Sequence, residues 1–321
     1  MTTTDRSAAF PPYELLDGWE RRATDKTHGL ERLYHQTQAR SWDPRAVLDE
    51  LEAKHGGIHV PEDKREAMGH VFTVILWGEL AAWNIAADLA RQLPDVDAKM
   101  AATGQVFDEA RHFSVLRDYF ARANIAVPPM NPFGRRVLVK ILETDSVLEK
   151  LYGMQLLVEN LALAIFKQVA ASGIEPVLTD LLAYIERDES RHVALGVLYL
   201  PKLLAQASAA EHARNWMFNM ELFLLTIGGG QLLDPHFKAL GIDHRQLGAT
   251  AQRLHEQVLR EMGEESGLGP GKRVRGAYGL SRRQQRWMLD FLHPAGAMSP
   301  RHARARQVVD RATRTVAGWM S

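Results

Sequence analysis

Apolar residues recur every three to four positions along most of residues 62–227, the spacing of one helix face, and no convincing strand alternation interrupts them. The pattern breaks at residues that separate helices. VPEDKREAMGHVFTVILWGELAAWNIAADLARQL has Pro61 at its start, acids in its first turn and a stop before Pro94. DVDAKMAATGQVFDEARHFSVLRDYFARAN begins afresh after Pro94 and ends near Asn124. The Pro-rich connection IAVPPMNPFGRR leads into DSVLEKLYGMQLLVENLALAIFKQVA, which ends at about Gly173, and EPVLTDLLAYIERDESRHVALGVLYLPKLL resumes at Pro176. Two hairpins joined by one long crossover predict an all-α four-helix bundle.

The flanks carry weaker patterns. SWDPRAVLDELEAKHGG predicts a short helix stopped by Gly56 and Gly57, and further helical stretches follow near 246–262, 281–292 and 300–319. GEESGLGPGKRVRGAYG between them predicts a mobile loop. The expected organisation is a tail with short helices over 1–60, the bundle over 61–227 and a helical extension over 228–321, both flanks packing on the bundle.

Two acids interrupt the most apolar helices. Glu79 sits in VILWGELAAW and Glu159 in MQLLVENLALAIF. A carboxylate buried there without a partner costs several kcal/mol or is forced to keep its proton. The two acids are 80 positions apart, and the same shift carries Asp108, Glu109, Arg111 and His112 onto Asp188, Glu189, Arg191 and His192. From Glu79 to the break at Pro94 is about 14 residues, roughly 21 Å of helix, and Glu109 lies a similar distance beyond it. An antiparallel hairpin therefore returns the two acids to one level, and the second hairpin does the same with Glu159 and Glu189. Residues three apart share a helix face, so Glu109 and His112 face one spot, as do Glu189 and His192. A lone Glu-x-x-His means little, and Glu52 with His55 before two glycines is a decoy. The doubled pattern, each copy with an apolar-flanked Glu upstream, predicts four carboxylates and two imidazoles around two divalent cations.

Oxygen and imidazole donors suit iron or manganese, and without thiolates a tetrahedral structural zinc is a poor fit. Cysteine is absent from the sequence, which also removes disulfides, iron–sulfur clusters and cysteine nucleophiles. A histidine that binds metal usually gives its other ring N–H to a carboxylate. Asp188 is expected to take that bond from His112 and Asp108 from His192, with Arg111 and Arg191 balancing charge. Lys+Arg and Asp+Glu both number 39, so nothing argues for a nucleic-acid partner. The N-terminus lacks signal-peptide features and the most apolar run contains Glu79 and Asp88, so a cytoplasmic protein without a membrane span is expected.

Glu79, DEARH at 108–112, Glu159 and DESRH at 188–192 resemble the ligand set of the ferritin-like dinuclear metal carboxylate superfamily. The closer branches are the R2-like ligand-binding oxidases, the hydroxylases of bacterial multicomponent monooxygenases and the ribonucleotide reductase small subunit. The resemblance covers about residues 60–205. Departures narrow it. Leu116 stands where the reductase subunit carries its radical tyrosine. Met154 and Ala82 stand where the ligand-binding oxidases form a tyrosine–valine crosslink, and Ile185 where N-oxygenases add a histidine.

The resemblance implies a dioxygen-activating centre of two iron ions, or manganese and iron, held by Glu79, Glu109, His112, Glu159, Glu189 and His192. Its reaction would be hydroxylation, desaturation or a related oxidation of an apolar or small organic substrate. Electrons would come from a separate donor, the substrate or peroxide, and a homodimer is the candidate assembly. A non-enzymatic ferritin-like iron-binding or storage protein is the alternative. Leu76, Ala82, Trp83, Leu156 and Leu163, one turn from the buried acids, are candidate cavity lining. Plain core packing accounts for those five equally well, and Trp77, Trp83 and Phe166 read as core filler before redox partners.

Overall fold

The computed structural model describes residues 25–265 and 300–320, with scattered positions between 287 and 299. Among the described residues every regular element is a helix. The two N-terminal helices are α1 (Asp25–Ala39) and α2 (Pro44–His55). The first hairpin pairs α3 (Glu62–Gln92) with α4 (Val96–Arg122). The second pairs a composite helix with α8 (Pro176–Gln206); the composite runs as α6 (Val147–Leu151), a π-helical segment (Tyr152–Val158) and α7 (Glu159–Ser172). A further helix, α5 (Pro132–Glu143), lies in the crossover that the sequence presents only as a Pro-rich connection. Behind the bundle follow α9 (Ala209–Ala239), α10 (His244–Glu265) and a C-terminal helix, α11 (Pro300–Met320). The candidate loop, from Ser266 onward, and most of the stretch 281–292 lie outside the described residues.

Local chemistry sets the breaks. Pro94 follows the end of α3, and Asp95 caps α4 by accepting hydrogen bonds from the N–H groups of Asp97 and Ala98 at 3.1 and 3.3 Å. Gly173 ends α7 at φ +61°, a left-handed backbone that glycine adopts without strain. Pro176 then occupies the first turn of α8, whose N-cap Glu175 accepts from the Leu178 N–H at 2.7 Å. Asn131, accepting from the Gly134 N–H at 2.9 Å, starts α5 where the prolines suggested only a link. The glycines at 228–230 do not end a helix: α9 runs through them and through Pro235, across the position 227 at which the bundle segment was expected to close.

Two apolar clusters fill the interior on either side of the buried polar residues. One gathers Phe72, Ile75, Leu116, Phe166 and Ile185; the other gathers Ile85, Ile141, Tyr152, Leu156 and Leu200. Phe166 is fully buried as core, but Trp77 and Trp83 are 47% and 37% exposed, because their positions on α3 turn away from both clusters. Glu62–Gln92 and Val147–Ser172 are long and apolar enough to cross a membrane by length and composition. Each is an interior helix of the bundle, and its apolarity serves this core.

The crossover passes close to α3 at Gly69, where an added Cβ would stand 2.5 Å from the carbonyl oxygen of Ala126. Gly69→Ala is expected to destabilise the fold by about 1–3 kcal/mol through overpacking against backbone, measured by denaturant unfolding against wild type.

Candidate metal centre

Each bundle helix brings one acid to a common level in the core: Glu79 from α3, Glu109 from α4, Glu159 at the start of α7 and Glu189 from α8. All four are at most 4% exposed, and His112 and His192 are equally buried. The donor atoms fall into two overlapping groups, each lying within 4.8 Å of one another: Glu79, Glu109, His112 and Glu189; and Glu109, Glu159, Glu189 and His192. Glu109 and Glu189 belong to both groups, so the two halves of the cluster share them.

Both imidazoles turn Nδ1 toward the acids. His112 Nδ1 lies 3.1 Å from Glu189 Oε1 and 3.4 Å from Glu79 Oε2. His192 Nδ1 lies 2.7 Å from Glu189 Oε2 and 3.1 Å from Glu109 Oε1. Their Nε2 atoms point the other way, His112 to Asp188 Oδ2 and His192 to Asp108 Oδ2, each at 3.3 Å. Each Asp thus stands beside the Nε2 of the opposite hairpin's histidine.

Arg111 and Arg191 close this layer. Arg111 Nη2 donates to Asp108 at 2.5 Å and Asp188 at 2.7 Å; Arg191 Nη2 donates to Asp108 at 2.7 Å and Asp188 at 2.9 Å. The four side chains form a closed ring beneath the histidines. With all six acids ionised, two guanidiniums leave four negative charges, which is what two divalent cations would balance. Protons answer the same imbalance. Burial pushes the carboxyls of Glu79 and Glu159 well above their usual range. Burial alone would lower His112 and His192, but the surrounding carboxylates outweigh it and hold both imidazoles well above their ordinary value. Asp188 is held low despite burial, by His112, Trp42 and Arg191.

The donor set fits a dinuclear centre. Four carboxylates and two imidazoles supply oxygen and nitrogen donors suited to iron or manganese. Two buried atoms on the cluster face, His112 Nδ1 and Glu109 Oε2, make no hydrogen bond, which is the arrangement of groups aimed at a cation.

Some polar residues around the cluster escaped the sequence reading. Trp42, between α1 and α2, donates its indole N–H to Asp188 Oδ2 at 2.7 Å and stacks on His112 at 6.3 Å between centroids. Nothing local in the sequence marks it, because its partner is 146 positions away. Gln105 and Gln155 sit among the acids on the opposite side from the Asp–Arg ring, and Gln105 Nε2 donates to Glu109 Oε1 and Glu159 Oε1, each at 3.0 Å. A legible signal existed for these two: each precedes a buried Glu by four residues, one helical turn.

A cavity of about 290 Å³ opens beside the carboxylates and touches Glu79, Glu109 and Glu159. Its walls are mostly apolar and come from α3, α5, α9, α10 and the composite helix. The run Leu156–Ala162, from the end of the π-helical segment into α7, contributes every residue to the wall. Of the expected lining residues, Ala82 and Leu156 face the cavity, whereas Leu76, Trp83 and Leu163 do not.

No protein-family model and no curated protein sequence matches the chain. Solved structures do. An aldehyde-deformylating oxidase from Synechococcus superposes with a TM-score of 0.55 at 20% identity, covering 71% of this chain and 97% of that one. Two variants of an R2-like ligand-binding oxidase with anaerobically reconstituted Mn/Fe cofactor give TM-scores of 0.60 and 0.56 at 17% identity. They cover 76% and 83% of this chain and 97% and 98% of their own. The fold is that of these ferritin-like oxidases.

The Asp–Arg ring predicts a stability effect. Asp188→Ala would leave Arg111, Arg191 and Trp42 without their shared acceptor in a dry interior. A loss of about 3–5 kcal/mol is expected, read from denaturant unfolding of metal-free protein.

Proposed function

We propose that the protein is a dioxygen-activating, non-haem di-iron or manganese–iron oxidase or oxygenase acting on an apolar or small organic substrate. The observation that carries this reading is the adjacency of two things: a six-donor cluster suited to two metals, and an apolar cavity reaching three of its carboxylates. Glu79, Glu109, His112, Glu159, Glu189 and His192 would hold the metals. When bound, the metal pair would supply the dioxygen chemistry.

The chain's own residues supply the rest. Asp188 and Asp108 accept from Nε2 of His112 and His192, which keeps Nδ1 of each ring available to a cation. The Asp–Arg ring closes the cluster on its histidine side, so the cavity side is left for an organic molecule. The cavity walls at Ile75, Ala82, Leu156 and Ile165 exclude water and favour an apolar body over a charged one. Hydroxylation, desaturation and related oxidations all suit such a pocket. With cysteine absent, the chain has no ligands for an iron–sulfur relay, and electrons would come from a separate donor, the substrate or peroxide. We further read the enzyme as cytoplasmic, acting without nucleic acid or membrane.

Iron storage is the competing reading, and the apolar cavity argues against it because stored ions need a polar route. Protein loaded with iron is expected to contain two metals per chain by elemental analysis and to consume oxygen only when a suitable apolar compound is added. Glu79→Ala, Glu109→Ala, Glu159→Ala and Glu189→Ala should each lower the metal content below two. Unchanged stoichiometry in all four would remove the site assignment, and iron uptake with no oxidation of any organic compound would favour storage.

A further inference from the structure

The 80-residue repeat is kept by every charged residue of the cluster and broken just above it. Shifting Gln105, Ile75 and Leu116 by 80 positions gives Ile185, Gln155 and Gly196. One half of the core therefore carries two amides and a glycine where the other carries two isoleucines and a leucine. These exchanges are matched in size. A Cβ on Gly196 would stand 2.7 Å from Gln155 Cβ, so the glycine makes the room that Gln155 occupies. In the other half Ile75, Leu116 and Ile185 belong to one apolar cluster, and all are at most 4% exposed.

The amides act on one side of the metal cluster. Gln155 Nε2 donates to Gln105 Oε1 at 2.7 Å, and this turns the Nε2 of Gln105 toward the carboxylates. That Nε2 then donates to Glu109 Oε1 and Glu159 Oε1, each at 3.0 Å. Both acceptor atoms lie on the His192 side: Glu109 Oε1 is 3.1 Å and Glu159 Oε1 3.7 Å from His192 Nδ1. Glu109 Oε2 faces His112 instead. Among the described residues no side-chain amide donates to Glu79, the counterpart of Glu159. A hydrogen bond donated to a carboxylate oxygen draws off electron density that a cation would otherwise use, and fixes the carboxylate's rotation.

We propose that Gln105, held by Gln155 in the space left by Gly196, makes the two metal positions inequivalent. The position formed with Glu159 and His192 is the weaker and more rigid one, and the position formed with Glu79 and His112 fills first. This rests on the metal-centre reading above. Gln105 is a positioning residue: it acts on the carboxylates and not on the substrate.

The test uses full-length, metal-free protein, one equivalent of Mn(II) and anomalous diffraction at the manganese edge, with a second sample given excess Mn(II). Wild type is expected to hold two ions in excess metal and, at one equivalent, to favour the Glu79/His112 position by about ten-fold, the worth of a hydrogen bond to a charged group. Gln105→Met, close in volume but without a donor, should still hold two ions and bring the ratio toward one. A role confined to packing would weaken both positions together and leave the ratio alone. Gln155→Met, which frees the Gln105 amide to turn, should lower the ratio in the same direction and serves if the first variant does not fold. Equal occupancy in wild type, or a ratio unmoved by the variants, overturns the inference while leaving a two-metal site intact. Fewer than two ions in wild type at excess Mn(II) overturns the metal-centre reading and this inference with it.

Discussion

Six carboxylates share the centre of this bundle, and no interior tolerates that much like charge unless something answers it. Glu79, Asp108, Glu109, Glu159, Asp188 and Glu189 are nearly inaccessible to water. In a low-dielectric core each would otherwise hold a proton or oppose folding. The helices, the ring of arginines and the flanking segments are arranged around this constraint. Cations can meet it from inside the cluster, and guanidiniums meet it from below.

The division of labour follows from distance. Arg111 and Arg191 each reach both Asp108 and Asp188, so the two aspartates stay ionised and can orient the histidines. The glutamates are left without a guanidinium, and only a metal or a proton can compensate them. This separates a permanent charge layer from an exchangeable one. The link between the N-terminal helices seals the permanent layer: Trp42 bonds Asp188, and Arg111 also reaches Ser41 at 3.2 Å. On the other face, α5, α9 and α10 cover an apolar cavity. One wall of the cluster is electrostatically closed and the other borders an apolar cavity.

Symmetry explains the cluster, and the departures from it fall in one half. The hairpins place equivalent acids at equal height because each turn lies midway between its two acids. The π-helical winding before Glu159 and the Gln105–Gln155 pair occur in one half only. The π-helical segment contributes Met154 and Leu156 to the cavity wall, and the amide pair bonds the carboxylates, so both departures lie away from the Asp–Arg ring.

Much of this was legible in order along the chain. Apolar periodicity, Pro94, Gly173 and Pro176 determine the bundle helices, because turn chemistry and helix period are local properties. The 80-residue shift brings the four glutamates to one level and crosses the Asp–His pairs, because helical rise converts spacing into height. What the sequence left open depends on side chains meeting across large separations. α5 was concealed by prolines whose capping role needed Asn131 to be seen, and α9 continued through glycines because packing against Phe133 favours residues without a Cβ at Gly228. Trp77 and Trp83 looked like core by composition, but helix rotation within the assembled bundle turned them outward. Trp42 on Asp188, the cavity beside Glu79 and the amide bridge onto Glu159 were decided only by tertiary structure, since each joins segments that periodicity cannot bring into register.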